Sequence, residues 1–214
     1  MESQEYRYLL NKSKKAGLTR RISQKLHMMW MDIVGLALIA DNRVISMSYK
    51  QNGRSPFPPN FRCAGLEYLL ERAKGMTILD VGMYDGLVGY EFARHEARLV
   101  HGIDKRLDSI GFCQRLFRWV PCESKFMYAD LTKRIPDIGT YDIVLLLSTY
   151  FWLKQAMSGK DLENLLRGLL RKTKRYFAVR SALVDEVGLI ARSEGFVERV
   201  RGNKPLTCVY EREK

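Results

Sequence analysis

The chain has 214 residues, of which 46% are hydrophobic and 28% are charged. This length suits one globular domain with a short extension. Lys and Arg number 36 against 24 Asp and Glu, and the resulting net charge of +12 favours an anionic partner such as nucleic acid, a phosphorylated metabolite or acidic lipid.

The cysteines and the apolar runs narrow the location of the protein. The four cysteines are scattered without a CxxC pair, which argues against a zinc site or a disulfide framework and favours a reducing compartment, the cytoplasm. No apolar run approaches the ~20 residues of a membrane span, and the first residues lack the apolar core of a signal peptide. We therefore expect neither export nor a membrane span.

Residues 1–60 are predicted to form an N-terminal helical extension that ends in a turn-rich loop. A basic segment from Lys12 to Lys25 leads into an apolar stretch from Leu26 to Ala40, which covers most of the circumference of a helix. Such a helix is expected to be buried or to face a partner, and the basic residues before it would also suit peripheral contact with an anionic membrane. We expect the extension to act as a lid, a dimer contact or a substrate contact.

Residues 61–214 are predicted to form the main domain, which begins with a short helix from Cys63 to Gly75. Strand-like and helix-like stretches then alternate, which predicts an α/β, Rossmann-like fold: a mainly parallel seven-stranded sheet with helices on both faces. The helix-like stretches are 86–95, 107–118, 160–172 and 184–194, and the strand-like runs are TILDV, RLVHGI, KFMYA, YDIVLLLS, YFAVR, FVERV and LTCVYE. The loop before the last run is too short for a helix, so we expect the last strand to be antiparallel.

Three acidic residues lie at the ends of the first three predicted strands. Asp80 ends the first strand, with Gly82 at the turn and Gly86 at the start of a helix, so backbone amides should face a ligand above the strand. Asp104 ends the second strand, 104 − 80 = 24 residues later, where a carboxylate can accept hydrogen bonds from both hydroxyls of a ribose. Asp130 follows the third strand. An open parallel sheet binds its ligands at this edge.

This arrangement resembles the class I S-adenosylmethionine-dependent methyltransferases from about Leu66 to the C-terminus. The resemblance implies S-adenosyl-L-methionine as the methyl donor, with its methionine part on the glycine loop, its ribose on Asp104 and its adenine near Asp130. The commonest form of the loop has a glycine where this chain has Tyr84, so the sequence is similar to the subgroup that reads DVGxxDG. Similar loops occur in some tRNA wobble-uridine-modifying enzymes and in methyltransferases acting on saccharides. The full donor site that we predict consists of Asp80, Gly82, Met83, Tyr84, Gly86, Asp104, Lys105, Asp130, Leu131 and Ser148.

Two other functions share parts of this pattern. A nicotinamide-dependent oxidoreductase would also place a ribose-binding acid near Asp104, and the segment Tyr150–Lys154 matches the YxxxK of short-chain dehydrogenases. That segment directly follows the fourth strand instead of lying inside a later helix, and the glycine loop reads GxxxG instead of GxGxxG. A donor-binding protein without catalysis is the third alternative. An intact glycine loop favours the methyltransferase over it.

A methyltransferase of this kind mainly aligns its acceptor and needs little acid–base chemistry. For a hydroxyl acceptor, a base near the end of the fourth strand would help to remove the proton, and Tyr150 is our candidate catalytic residue there. Tyr150 and Trp152 could together form a wall of the acceptor pocket, and packing beneath the N-terminal extension is the alternative for both rings. Arg180, at the end of the fifth strand, is expected to meet either an anionic acceptor or a surface carboxylate. We expect no metal site. An anionic small molecule or saccharide is the favoured acceptor, and RNA, either tRNA or rRNA, is the alternative that the net charge also suits.

Overall fold

The computed structural model describes residues 61–203 and 206–213, and the predicted N-terminal extension lies outside this range. The described residues build a sheet of seven strands, as predicted. The strands are β1 Thr77–Val81, β2 Leu99–Asp104, β3 Glu123–Tyr128, β4 Tyr141–Leu147, β5 Thr173–Arg180, β6 Phe196–Asn203 and β7 Leu206–Arg212. The helices are α1 Glu67–Leu70, α2 Leu87–Arg94, α3 Leu107–Leu116, α4 Tyr150–Ala156, α5 Gly159–Arg171 and α6 Val184–Ser193, with 3₁₀ turns at Phe61–Cys63 and Phe117–Trp119.

The strand order is β3-β2-β1-β4-β5-β7-β6. Strands β1 to β5 are parallel, because a helix-containing connection returns the chain to the same end of the sheet each time. Strand β7 is antiparallel to both β5 and β6, since only two residues separate β6 from β7. The predicted parallel sheet with an antiparallel last strand is confirmed.

Alternating residues of the central strands face two layers of helices. One side carries Leu79, Val144 and Phe177, which pack in one buried cluster with residues of α4, α5 and α6. The intervening residues face the opposite layer, where Gly89 of α2 lies over Val100 and the ring of Tyr68 meets Tyr176 edge-on at 5.9 Å. The continuous burial of β1 reflects this cover on both faces.

Helix α5 shows how the sequence positions the layer of helices α4, α5 and α6. Its buried leucines recur at the spacing of one helix face. They are Leu162, Leu165, Leu166, Leu169 and Leu170. The Ser158 hydroxyl caps the helix by accepting a hydrogen bond from the Asp161 amide at 3.2 Å. Within the described ranges, no helix combines the length and apolar character that crossing a bilayer requires.

The predicted helix from Cys63 to Gly75 is much shorter in the structure. Only α1 is helical, because Gly65 before it and Gly75 after it have positive φ angles of 81° and 73° and the intervening chain forms tight turns. A guanidinium nitrogen of Arg72 donates to the Tyr68 carbonyl at 2.9 Å and satisfies the end of the helix. The apolar pattern indicated a buried segment correctly, but the two glycines limit its helical length.

The carboxyl ends of the parallel strands meet at one edge of the sheet. The glycine loop follows β1, Asp104 ends β2, Asp130 follows β3, Ser148 follows β4 and Arg180 ends β5. The fold therefore gathers residues from five separate parts of the chain at this edge.

Candidate functional site

The loop between β1 and α2 requires glycine at two positions. Gly82 has a φ of 76°, and a side chain there would collide with the hydroxyl of Thr149. Gly86 has a φ of 69°, and an added Cβ would lie 2.6 Å from the Cys113 sulfur. Both residues adopt the left-handed conformation that glycine tolerates without strain. The loop therefore passes close to β4 and α3 on either side.

Tyr84 adopts a left-handed conformation, with a φ of 51°, at the position where a glycine is commoner. This conformation costs a non-glycine residue about 1–2 kcal/mol. The Tyr84 amide donates to Asp104 Oδ2 at 3.0 Å, and this hydrogen bond helps to hold the strained turn. The guanidinium groups of Arg62 and Arg106 lie 5.3 and 5.2 Å from the centroid of the tyrosine ring, within the range of a cation–π contact.

Asp104 links the two loops that follow β1 and β2. Its Oδ2 accepts the Tyr84 amide, and its Oδ1 accepts the Arg106 amide at 2.9 Å. Each carboxylate oxygen retains a second lone pair. The carboxylate is thus fixed in place and can still accept hydrogen bonds from a ligand.

Asp80 is a buried carboxyl group that lines the same cleft and is 4% exposed. Among the described residues, no group donates a hydrogen bond to it. Burial, together with the neighbouring charges of Asp85 and Asp104, raises the pKa of Asp80 to about 7. A cationic group of a ligand would stabilise its charged form.

Asp130 differs from Asp80, because it already accepts hydrogen bonds from a neighbouring residue. Its Oδ1 accepts the Thr132 hydroxyl at 2.8 Å and the Thr132 amide at 3.1 Å. Burial acts to raise the pKa of Asp130, but these hydrogen bonds and the charges of Lys133 and Lys105 lower it below its ordinary value. Asp130 is therefore a carboxylate near neutral pH.

The end of β4 forms the floor beside the glycine loop. Ser148 is left-handed, with a φ of 59°, and its amide donates to the Arg180 carbonyl at 2.9 Å. The Thr149 hydroxyl donates to the carbonyls of Val81 and Leu147, at 3.1 and 3.2 Å. Strained residues held by such contacts are typical of ligand-binding sites.

These residues surround one cleft of about 1080 Å³, at the upper end of the size range of small-molecule sites. Most of the predicted site residues line it: Asp80, Gly82, Met83, Tyr84, Asp104, Lys105, Asp130, Leu131 and Ser148. Gly86 lies behind the loop, where its role is conformational. The sequence reasoning missed Arg62, Asp85, Arg106, Thr132 and Thr149, which also line the cleft. Asp85 lies three residues after Gly82 in the loop and pairs with Arg62 at 2.8 Å. No local sequence pattern indicates this contact.

The structure does not bring Tyr150 to this cleft. Tyr150 begins α4, is 2% exposed, and its hydroxyl lies 3.3 Å from Glu186 Oε2 under α6. Burial and the Glu186 charge raise the pKa of Tyr150 to about 12. Residues two apart on a helix point in nearly opposite directions, so Trp152 lines the cleft while Tyr150 faces the core. We therefore withdraw Tyr150 as the candidate base.

Known structures share this architecture. The chain is similar to the S-adenosylmethionine-bound magnesium protoporphyrin IX methyltransferase of Synechocystis PCC 6803, with 16% identity, a TM-score of 0.57 and coverage of 81% of this chain and 97% of that one. It is also similar to the CcbJ methyltransferase of Streptomyces caelestis, with 14% identity, a TM-score of 0.58 and coverage of 79% of this chain and 96% of that one. A proposed RNA methyltransferase of Pyrococcus horikoshii has 15% identity and a TM-score of 0.56, with coverage of 74% of this chain and 87% of that one. No protein-family model matches the chain, and no curated protein is similar to it in sequence.

The chain has the class I methyltransferase fold. The resemblance seen in the sequence is confirmed at this level. In this methyltransferase fold the predicted donor residues converge at the carboxyl edge of the sheet. The fold itself does not select an acceptor, since the similar structures include a porphyrin methyltransferase and a proposed RNA methyltransferase.

Arg180 is the cleft residue for which the sequence left two alternatives. Its guanidinium donates to the carbonyls of Arg62 and Ala64, at 2.8 and 2.6 Å, and to the Thr207 hydroxyl at 3.1 Å. None of these acceptors is a carboxylate. Burial lowers the pKa of Arg180 from its usual value. Of the two alternatives, the surface salt bridge is absent among the described residues.

The histidines and cysteines contribute no site of their own in the described part of the methyltransferase fold. His101 is buried and its Nδ1 pairs with the Tyr141 hydroxyl, while His95 is the C-cap residue that follows α2. Across residues 61–203 and 206–213, no cluster of three His, Cys, Asp or Glu side chains is arranged to hold a metal ion. All four cysteines are free thiols.

Proposed function

We propose that this protein is an S-adenosylmethionine-dependent methyltransferase that acts on a polar, anionic small molecule or saccharide. The observation that carries the proposal is the convergence of Asp80, Asp104 and Asp130 with the glycine loop on one cleft. Each of the three carboxyl groups has a different environment, so the cleft can bind a ligand with several distinct polar groups. The free thiols support our expectation that the protein works in a reducing compartment, the cytoplasm.

The residues present fit the proposed donor. Asp104 is held by two backbone amides and can accept the ribose hydroxyls. The buried Asp80 carboxyl would bind a cationic group, which matches the ammonium of the methionine part. Asp130 and Leu131 line the part of the cleft that follows β3, where we place the adenine. When bound, S-adenosylmethionine supplies a methyl group on a positively charged sulfur.

The chain's own contribution is to hold the acceptor in line and to exclude water. Ser148 and Thr149 lie at the end of β4, next to the glycine loop, and line the cleft. Trp152 extends this wall with a ring that is 65% exposed. Because Tyr150 lies in the core, the mechanism that we propose depends on positioning the acceptor and uses no tyrosine base.

A transfer assay tests the proposal. Tritium-labelled S-adenosylmethionine is incubated with the protein and, separately, with a low-molecular-weight cell extract and with purified RNA. We expect label in the small-molecule fraction, retained on an anion exchanger, and none with the matched Gly82→Val variant, whose side chain would fill the loop. Absence of label in every fraction would contradict the proposed activity.

RNA is the second candidate acceptor, and the charge of +12 is the observation that favours it. Binding through several phosphates would fall steeply with salt, with a log–log slope near −0.7 for each neutralised phosphate of a single strand. We expect RNA to bind weakly through residues 12–21 and to receive no label. Label in RNA that disappears when Lys14, Lys15, Arg20 and Arg21 are neutralised would overturn our preference.

A further inference from the structure

Arg180 presents an uncompensated charge to the cleft. The side chain is half-buried, and each of its three hydrogen bonds goes to a neutral oxygen. A guanidinium group has five N–H groups, so two remain without a partner in the described part of the chain. Carbonyl and hydroxyl oxygens satisfy hydrogen bonds but do not neutralise the charge.

The other two arginines of the cleft differ in this respect. Arg62 pairs with Asp85 at 2.8 Å, and Arg106 pairs with Asp108 at 2.6 Å. Glu67 and Asp80 act on Arg180 only at longer range, and within the described ranges no carboxylate contacts it. Charges removed from water are normally paired, so an anion from outside would stabilise this guanidinium.

The place of Arg180 in the sheet separates it from Asp104 and Asp130. Strand β5, which Arg180 ends, lies three strands from β2, which Asp104 ends. At about 4.8 Å per strand the two strand ends are roughly 14 Å apart. The half of the cleft above β4 and β5 also contains Trp152. This half lies on the far side of the glycine loop from Asp104 and Asp130.

We propose that Arg180 binds a carboxylate or phosphate group of the acceptor and that the Trp152 ring packs against the part of the acceptor next to it. This inference rests on the proposed function, because it assigns the part of the cleft above β3, β2 and β1 to the methyl donor and leaves the part above β4 and β5 for the acceptor. The acceptor is then a molecule with an anionic group beside a ring or another flat surface. Arginine suits such a group because its two terminal nitrogens can donate to both oxygens.

The test uses the whole chain saturated with S-adenosylhomocysteine, so that the donor half is filled. Inorganic phosphate, phenyl phosphate and benzoate are titrated by calorimetry, which separates phosphate from carboxylate recognition. We expect at least one aromatic anion to bind in the millimolar range or tighter. Arg180→Met should weaken it at least roughly tenfold, the scale of a lost charge-assisted hydrogen bond.

Thr207→Val is the matched control, because it removes one contact of the Arg180 side chain and keeps the guanidinium. Its affinity for the anion should stay near that of the wild type. A second measurement needs no variant: the bound anion should protect Arg180, but not the paired Arg62 and Arg106, from modification by phenylglyoxal. Mass spectrometry of the peptides gives the extent at each arginine.

Three results would overturn the inference. The first is an anion affinity that Arg180→Met leaves unchanged, or equal modification of Arg180 with and without the anion. The second is a lack of saturable binding by all three probes. The third is competition between these anions and S-adenosylhomocysteine, which would assign Arg180 to the carboxylate of the donor. Failure of S-adenosylhomocysteine to bind at all is a separate result, which contradicts the proposed function and leaves the anion titration readable.

Discussion

Replacing Asp80 with asparagine should stabilise the ligand-free protein and weaken its binding of the donor. The pKa of Asp80 is raised to about 7 from the ordinary 3.8, because the carboxylate is buried beside Asp85 and Asp104. A folded-state pKa above the unfolded value means that the folded chain binds the proton more tightly, so this group lowers stability as the pH rises from about 4 to about 7. At 1.36 kcal/mol for each pKa unit, the limit is roughly 4 kcal/mol.

Relaxation of the open cleft reduces that limit, and we expect Asp80→Asn to raise the free energy of unfolding by about 1–3 kcal/mol near pH 8. Near pH 4, close to the unfolded-state pKa of 3.8, the carboxyl is largely protonated in the unfolded chain as well, so most of the gain should be lost there. Urea denaturation at both pH values measures the difference. Calorimetry with S-adenosylmethionine should show a loss of affinity of roughly tenfold or more, because the variant lacks the negative charge.

Asp142→Asn is the control with the opposite sign. Asp142 Oδ2 accepts the amide and the hydroxyl of Thr77, at 2.8 and 2.7 Å. Burial opposes ionisation, but these hydrogen bonds lower the pKa of Asp142, so its contribution to stability is present near neutral pH and is lost as the pH falls. An Asp80→Asn variant that is destabilised near pH 8, or that gains equally at both pH values, would refute the reasoning.

Three further substitutions examine the donor loop and the acceptor wall. Asp104→Ala should weaken donor binding by about 1.5–3 kcal/mol, measured by calorimetry, and an unchanged affinity would place the ribose elsewhere. Gly82→Ala should lower both stability and donor affinity, because its methyl group meets the Thr149 hydroxyl at a positive φ, whereas Gly139→Ala, with open space around it, should change neither. Trp152→Ala should shift stability by less than about 0.5 kcal/mol and leave donor affinity unchanged, because the ring is 65% exposed. Its methyl transfer should nevertheless fall, and full activity would remove Trp152 from the acceptor wall.

The parts of the fold that follow from local patterns could be predicted from the sequence. The leucine spacing of α5 predicted a helix over 160–172, and the structure has Gly159–Arg171. The acidic residues at strand ends could be predicted too, because all parallel strands deliver their carboxyl ends to one edge. Asp80, Asp104 and Asp130 thus required only the strand boundaries and the parallel arrangement.

The features of the site that the sequence did not predict depend mainly on contacts between distant parts of the chain. The hydrogen bond from Arg180 to the Arg62 carbonyl joins residues 118 apart in sequence, and no periodicity indicates it. The misplacement of Tyr150 has a local cause. The segment after β4 forms α4, so a helical rotation separates Tyr150 from Trp152, whereas an extended chain would have placed both on one side.

Calorimetric titration of the whole chain with S-adenosylmethionine and, separately, with nicotinamide adenine dinucleotide tests the central claim most directly. We predict saturable binding of S-adenosylmethionine and of its demethylated product, with no saturable heat from the dinucleotide. Binding of the dinucleotide without either methyl-donor compound would contradict the account and assign the cleft to an oxidoreductase.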